Sequence, residues 1–199
     1  NNTARVGVIG MGYVGLPLAL LAAQRGFSVT GLLRSQDKAA RLSKGLTSVD
    51  TVDKKELSRV LAHGTLKALI LSPNSLANLD VIIICVPTPI TQAKKPDLSA
   101  MKSVVKVLGS INTSGKLIIN ESTVAPGTTR QFFGSLDTFL ACSPERVDPG
   151  NTHKKVINIA KVIGGKDHES LLLAAAFYKQ ILDAPIVSVS GLEVAEMAK

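Results

Sequence analysis

Tryptophan is absent and aromatic residues make up only 4% of the chain. No basic run is therefore interleaved with rings on which bases could stack, and nucleic acid is not expected as a partner. Cysteine is scarce as well. Cys85 and Cys142 stand far apart and make neither a disulfide framework nor a CxxC metal knuckle, which points to a reducing cytoplasm. His63, His153 and His168 lack ligand spacing, so no metal is expected. One charge-free stretch of 18 residues, 6–23, is long enough to raise a signal peptide or membrane anchor. Gly10, Gly12, Gly15 and Pro17 divide it into a piece of strand length and one of helix length, nothing else could span a bilayer, and no membrane partner is expected.

What the chain does contain is Val, Ile, Leu, Ala and Gly: 45% of its 199 residues are hydrophobic. That composition suits parallel strands buried under helices on both faces, an α/β class. Acidic residues are in deficit, 15 against 23 basic, for a net charge of +8. The excess sits in residues 1–100, with 12 basic against 6 acidic. This is either a solvated basic surface or a field that attracts phosphorylated ligands.

Short β-rich runs predict strands at 5–9, 27–33, 66–71, 81–86, 116–120, 138–142 and 186–189. Helical spacing predicts helices at 15–25, 37–44, 54–62, 98–111 and 169–182, another starting at Pro126, and one only begun after 190, with a turn through Pro73 and Asn74. Strand and helix alternate without repeats or linkers. The expectation is one doubly wound, mostly parallel sheet spanning 1–189, followed by the start of a further helix at 190–199.

In "VGVIGMGYVGLPLA", Gly10, Gly12 and Gly15 follow a strand and open a helix. Each has a separate reason: Gly10 for the tight turn, Gly12 for close approach of backbone to a pyrophosphate, Gly15 for close packing of helix on strand. Amides at the helix start then face phosphate. This is the Rossmann-like arrangement for a nicotinamide dinucleotide. A carboxylate about 20 residues on ordinarily accepts from the adenosine ribose, and Leu33 stands there instead. Arg34, Ser35 and Lys38 follow, a cluster suited to a 2′-phosphate, so NAD and NADP both stay open.

The strings "GVIGMGYVGLPLA", "CVPTP", "ESTVAPGTT", "SPERVDPGN" and "EVAEMAK", in this order over nearly all of 6–199, resemble the NAD-binding half of the UDP-sugar 6-dehydrogenases, the UDP-glucose/GDP-mannose dehydrogenase family. "PER" with "DPGN" is more similar to its N-acetylhexosamine branch. The resemblance implies NAD as cofactor and oxidation of a sugar C6 alcohol to a carboxylate by two hydride transfers through a cysteine thioester. It also implies that Gly10, Gly12, Tyr13, Val14 and Gly15 hold the pyrophosphate; Leu33, Arg34 and Lys38 are placed at the adenosine ribose by the glycine-turn reading above. Val86, Pro87, Thr88, Pro89, Glu121, Ser122 and Thr123 would approach the ribose and nicotinamide. Thr123 would help place a catalytic water, Glu145 would assist its attack, and Lys199 would stabilise the oxyanion.

Family members carry their nucleophile in a "GGHC"-like motif of a second half. Neither Cys85, on an apolar strand, nor Cys142, before "SPER", stands at that place, and both are read as core thiols. The resemblance thus implies a UDP-sugar substrate held through that second half, a homodimer in the complete protein, and a chain that is incomplete and inactive by itself. Two other readings stay open: a non-catalytic dinucleotide-binding module, and a different NAD(P) oxidoreductase such as a 3-hydroxy acid dehydrogenase.

Overall fold

The computed structural model describes residues 2–145 and 160–199. His153 and the "RVDPGN" of the fourth string lie outside the described residues. The elements run β1 (Arg5–Ile9), α1 (Gly15–Gln24), β2 (Ser28–Leu33), α2 (Gln36–Ser43), α3 (Lys54–Ala62), β3 (Leu66–Ile70), α4 (Pro73–Ala77) and β4 (Val81–Ile84). There follow α5 (Ser99–Leu108), β5 (Leu117–Asn120), α6 (Thr128–Phe133), β6 (Phe139–Cys142), β7 (Lys161–Gly165), α7 (His168–Ile181), β8 (Ile186–Val189) and α8 (Leu192–Met197). No helix among the described residues is long and apolar enough to cross a membrane.

The eight strands among the described residues form one sheet in the order β3-β2-β1-β4-β5-β6-β7-β8. Neighbours are parallel except at the β6–β7 seam. The first six make the Rossmann-like doubly wound order, which reverses between β1 and β4; ligands of such sheets bind outside the carboxyl ends of the strands at that reversal. "VIII" explains why β4 is central. Val81 and Ile83 join the core formed with α1, α3 and α7, while Ile82 and Ile84 join the opposite core with α4, α5, α6 and α8. Side chains of a strand alternate between faces, so only a strand covered on both sides can bury all four, each burial stabilising by about 1.5–3 kcal/mol.

Three local differences from the sequence reading have physical causes. The turn expected at Pro73 is the short helix α4, because Ser72 and Ser75 form a reciprocal capping box with Pro73 in the first turn. The reading also passed over β7. Its "VIGG" looks like loop, but both glycines are demanded by packing: a Cβ at Gly164 would lie 2.0 Å from the Gly191 carbonyl oxygen, and one at Gly165 2.5 Å from the Leu171 amide. The helix expected at Pro126 begins at Thr128, after Gly127 turns through a φ of 89°.

Candidate functional site

At the carboxyl end of β1 the glycine turn has the geometry its residues require. Gly10 has φ 95°, and a Cβ there would sit 2.4 Å from the Cys85 carbonyl oxygen; a Cβ on Gly15 would sit 1.9 Å from the Gly10 oxygen. Gly12 is different, since a Cβ there would meet nothing within 4 Å. It opens on solvent beside exposed Tyr13. The adjoining start of α1 at Val14 has no side-chain cap and no acidic residue in its first turn. The amides of the helix start and the positive end of the helix dipole suit an anion, so these residues fit a dinucleotide pyrophosphate.

The end of β2 offers no carboxylate. Leu33 is half-buried against the core, and Arg34 and Lys38 are exposed. Ser35 caps α2, accepting from the Lys38 amide at 3.4 Å. Asp97 is held below the usual carboxylate range first by hydrogen bonds from Ser99 and to a lesser degree by the charge of Arg34.

The next two rim segments are tied together. Pro87 and Pro89 lack amide donors, so the chain cannot continue the ladder beyond β4. The Val86 amide donates instead to Ser122 Oγ at 3.1 Å, and Thr88 Oγ1 donates to the Thr123 carbonyl at 2.6 Å. Thr123 itself is exposed. Glu121 is turned inward. It is 2% exposed, its Oε2 accepts from Lys161 Nζ at 2.6 Å, and its Oε1 accepts from the Tyr178 hydroxyl.

Lys161 also donates to Glu145 Oε2 at 2.7 Å, and Glu145 is 4% exposed. Burial pushes the Glu121 carboxyl up to about 7, with Lys161 opposing and Glu145 adding to the rise. Burial works against the Lys161 charge, but the two carboxylates outweigh it and the ammonium is held above its ordinary value.

Lys199 reaches this cluster through α8. Glu196 is buried and accepts from the Gly127 and Thr129 amides at 2.5 and 2.7 Å, capping α6, while Leu192 and Ala195 enter the core. With α8 so anchored, Lys199 Nζ donates to the Glu145 backbone carbonyl. The structure thus brings Glu145 and Lys199 together beside the Glu121–Thr123 segment. The two thiols are poor nucleophiles: burial pushes Cys142 up to about 12 and raises Cys85 well above its ordinary value, with Glu121 adding to it.

Sequence reasoning missed Lys161 and Tyr178. Tyr178 lies in an apolar helical run and reads as core; Lys161 acquires meaning only once β7 returns antiparallel to β6.

The model of the UDP-glucose/GDP-mannose dehydrogenase family NAD-binding domain matches residues 4–182. The UDP-N-acetyl-D-glucosamine 6-dehydrogenase of Pseudomonas aeruginosa is 34% identical over 98% of this chain and 48% of its own length. The solved UDP-D-ManNAc dehydrogenase of Pyrococcus horikoshii superposes with a TM-score of 0.87 at 30% identity, covering 98% of this chain and 49% of that one. A 3-hydroxyisobutyrate dehydrogenase of Mycobacterium tuberculosis, at TM-score 0.68 and 17% identity, shares the fold alone. The chain spans about half the length of the curated relatives it matches. It is an NAD-binding Rossmann-like domain and belongs to the UDP-glucose/GDP-mannose dehydrogenase family.

Proposed function

We propose that this chain is the dinucleotide-binding half of a UDP-N-acetylhexosamine 6-dehydrogenase, oxidising the C6 alcohol of the sugar to a uronate. The observation that carries this reading is the convergence of Lys199 on Glu145, 54 residues away in sequence, next to the segment that ends in Thr123. Relatives at 31–34% identity named for UDP-N-acetylglucosamine and UDP-N-acetylmannosamine support the substrate class.

The 10–15 turn would hold the pyrophosphate, with 86–89 and 121–123 flanking the nicotinamide side. NAD bound there supplies the hydride acceptor. Thr123, exposed at the rim, orients a water; Glu145 takes its proton as it attacks the acyl carbon; the Lys199 ammonium meets the negative charge that develops on the oxygen. The sugar nucleotide and the nucleophilic thiol come from the second half, through which the complete protein would also form a homodimer. Two unpaired thiols, Cys85 and Cys142, suit a cytoplasmic location.

The test is turnover of UDP-hexoses with NAD. The complete protein is expected to give two NADH per uronate and to lose acid formation in Glu145→Gln and Lys199→Ala, whereas this chain alone gives none. Complete protein that binds NAD yet oxidises no UDP-sugar would leave a non-catalytic dinucleotide-binding module as the answer.

A further inference from the structure

At the carboxyl rim of the sheet lies a buried polar cluster in which Glu121 and Glu145 have been given roles but Lys161 has not. The parallel strands β5 and β6 deliver Glu121 and Glu145 just beyond their last residues. The antiparallel strand β7 delivers its first residue, Lys161, to the same rim. Its register pairs Ala141 with Gly165 and Cys142 with Gly164; continued outward, it puts Lys161 opposite Glu145. The lysine is 3% exposed, bonds both carboxylates, and lies 5.3 Å from the centre of the Tyr178 ring.

We propose that Lys161 is a positioning residue for Glu145: its ammonium bridges Glu145 and Glu121, and so fixes the orientation of the carboxylate assigned above to take the proton of the attacking water. The proposal rests on the reading of Glu145 given above.

Three observations carry it. A buried charge is costly, and an apolar residue of similar length would brace β7 against α7 as well or better; a lysine there is explained by what it does to its partners. Both carboxylates lie at the rim where this sheet class binds its ligands, and Lys199 holds the Glu145 carbonyl from the other side. Tyr178 closes the second oxygen of Glu121, so the bridge cannot swing away from Glu145 without breaking that bond or its own.

Among the described residues, the titratable groups around Lys161 are Glu121 after β5, Glu145 after β6, Tyr178 on α7 and Cys85 after β4. Its partner on β8 is apolar Ile186. The Lys199 ammonium sits at the Glu145 carbonyl. Removing the Lys161 ammonium must push Glu121 protonation to higher pH, because burial and the Glu145 charge are then opposed mainly by the Tyr178 hydrogen bond.

The experiment compares Lys161→Met and Lys161→Arg with the parent in two readings: carboxyl-carbon NMR titration of the glutamates in this chain, and the pH profile of kcat in the complete protein. In Lys161→Met the Glu121 titration near 7 is expected to rise by about one pH unit or more. The acid limb of kcat should follow it, while KM for the dinucleotide stays within about threefold; Lys161→Arg restores both. A folded Lys161→Met whose titration is unmoved, or whose kcat falls by one factor at every pH, overturns the proposal. If Lys161→Met does not fold, Lys161→Gln removes the charge, keeps a donor and gives the same readings. A parent protein without turnover refutes the dehydrogenase reading, whereas turnover with an unmoved profile refutes the role of Lys161.

Discussion

Glu145 and Lys161 face each other across the antiparallel β6–β7 seam, with the ammonium 2.7 Å from the carboxylate and both side chains at most 5% exposed. Deleting one partner of such a buried pair strands the other. Lys161→Met is therefore expected to lose about 3–5 kcal/mol of stability at pH 8, read from urea unfolding, and less at pH 5, where the stranded carboxyls can take protons. A loss under about 1 kcal/mol at pH 8 would place the pair in a far more solvated setting.

Glu121 gives stability a pH dependence of unusual sign for a carboxylate. Its folded pKa, about 7, exceeds the ordinary 4.5, so the folded chain binds a proton that the unfolded chain has lost. The associated stability, about 3 kcal/mol, is fully present below pH ~4.5 and lost as pH rises through about 7. Unfolding at pH 5.0 to 7.5 should show the decline, and Glu121→Gln should flatten it. A parent chain that gains stability across that window contradicts the assignment.

Neither thiol should react readily in the folded chain. With Cys142 near 12 and Cys85 well above its ordinary value, thiolate at pH 8 is negligible. An aromatic disulfide reagent is expected to modify buried Cys142 only at the rate of unfolding, and half-buried Cys85 slowly. Fast labelling of Cys142 in native protein would reopen it as a nucleophile.

Discrimination against NADP should be weak. Leu33 cannot repel a 2′-phosphate, and exposed Arg34 can pair with one. The expected preference for NAD is under a hundredfold, about 2.7 kcal/mol, and Arg34→Glu should increase it. Calorimetry giving a larger preference in the parent would mean that Asp97 keeps Arg34 from the ribose.

The glycine turn was legible in sequence because Gly10 and Gly15 answer demands on the backbone: a positive φ at Gly10 and a near contact at Gly15. β4 was legible because four consecutive apolar β-formers leave no exposed face. The hidden parts depend on partners distant in sequence. β7 carries only Lys161, Val162 and Ile163 before two glycines, so neither alternation nor length marks it. The inward turn of Glu121 depends on Lys161 and Tyr178, 40 and 57 residues away. The sequence also supplies its own misdirection at Ser72–Ser75, where turn-forming residues serve as a helix cap.

The most direct test of the domain's central role is calorimetric titration of this chain with NAD, beside Gly12→Val. A Cβ at Gly12 touches nothing in the protein, so the variant should keep its circular dichroism and unfolding midpoint while its branched side chain fills the space the pyrophosphate needs. Saturable one-to-one binding by the parent and none by Gly12→Val is the expected result; equal affinity in the two, or no binding by a folded parent, would contradict it.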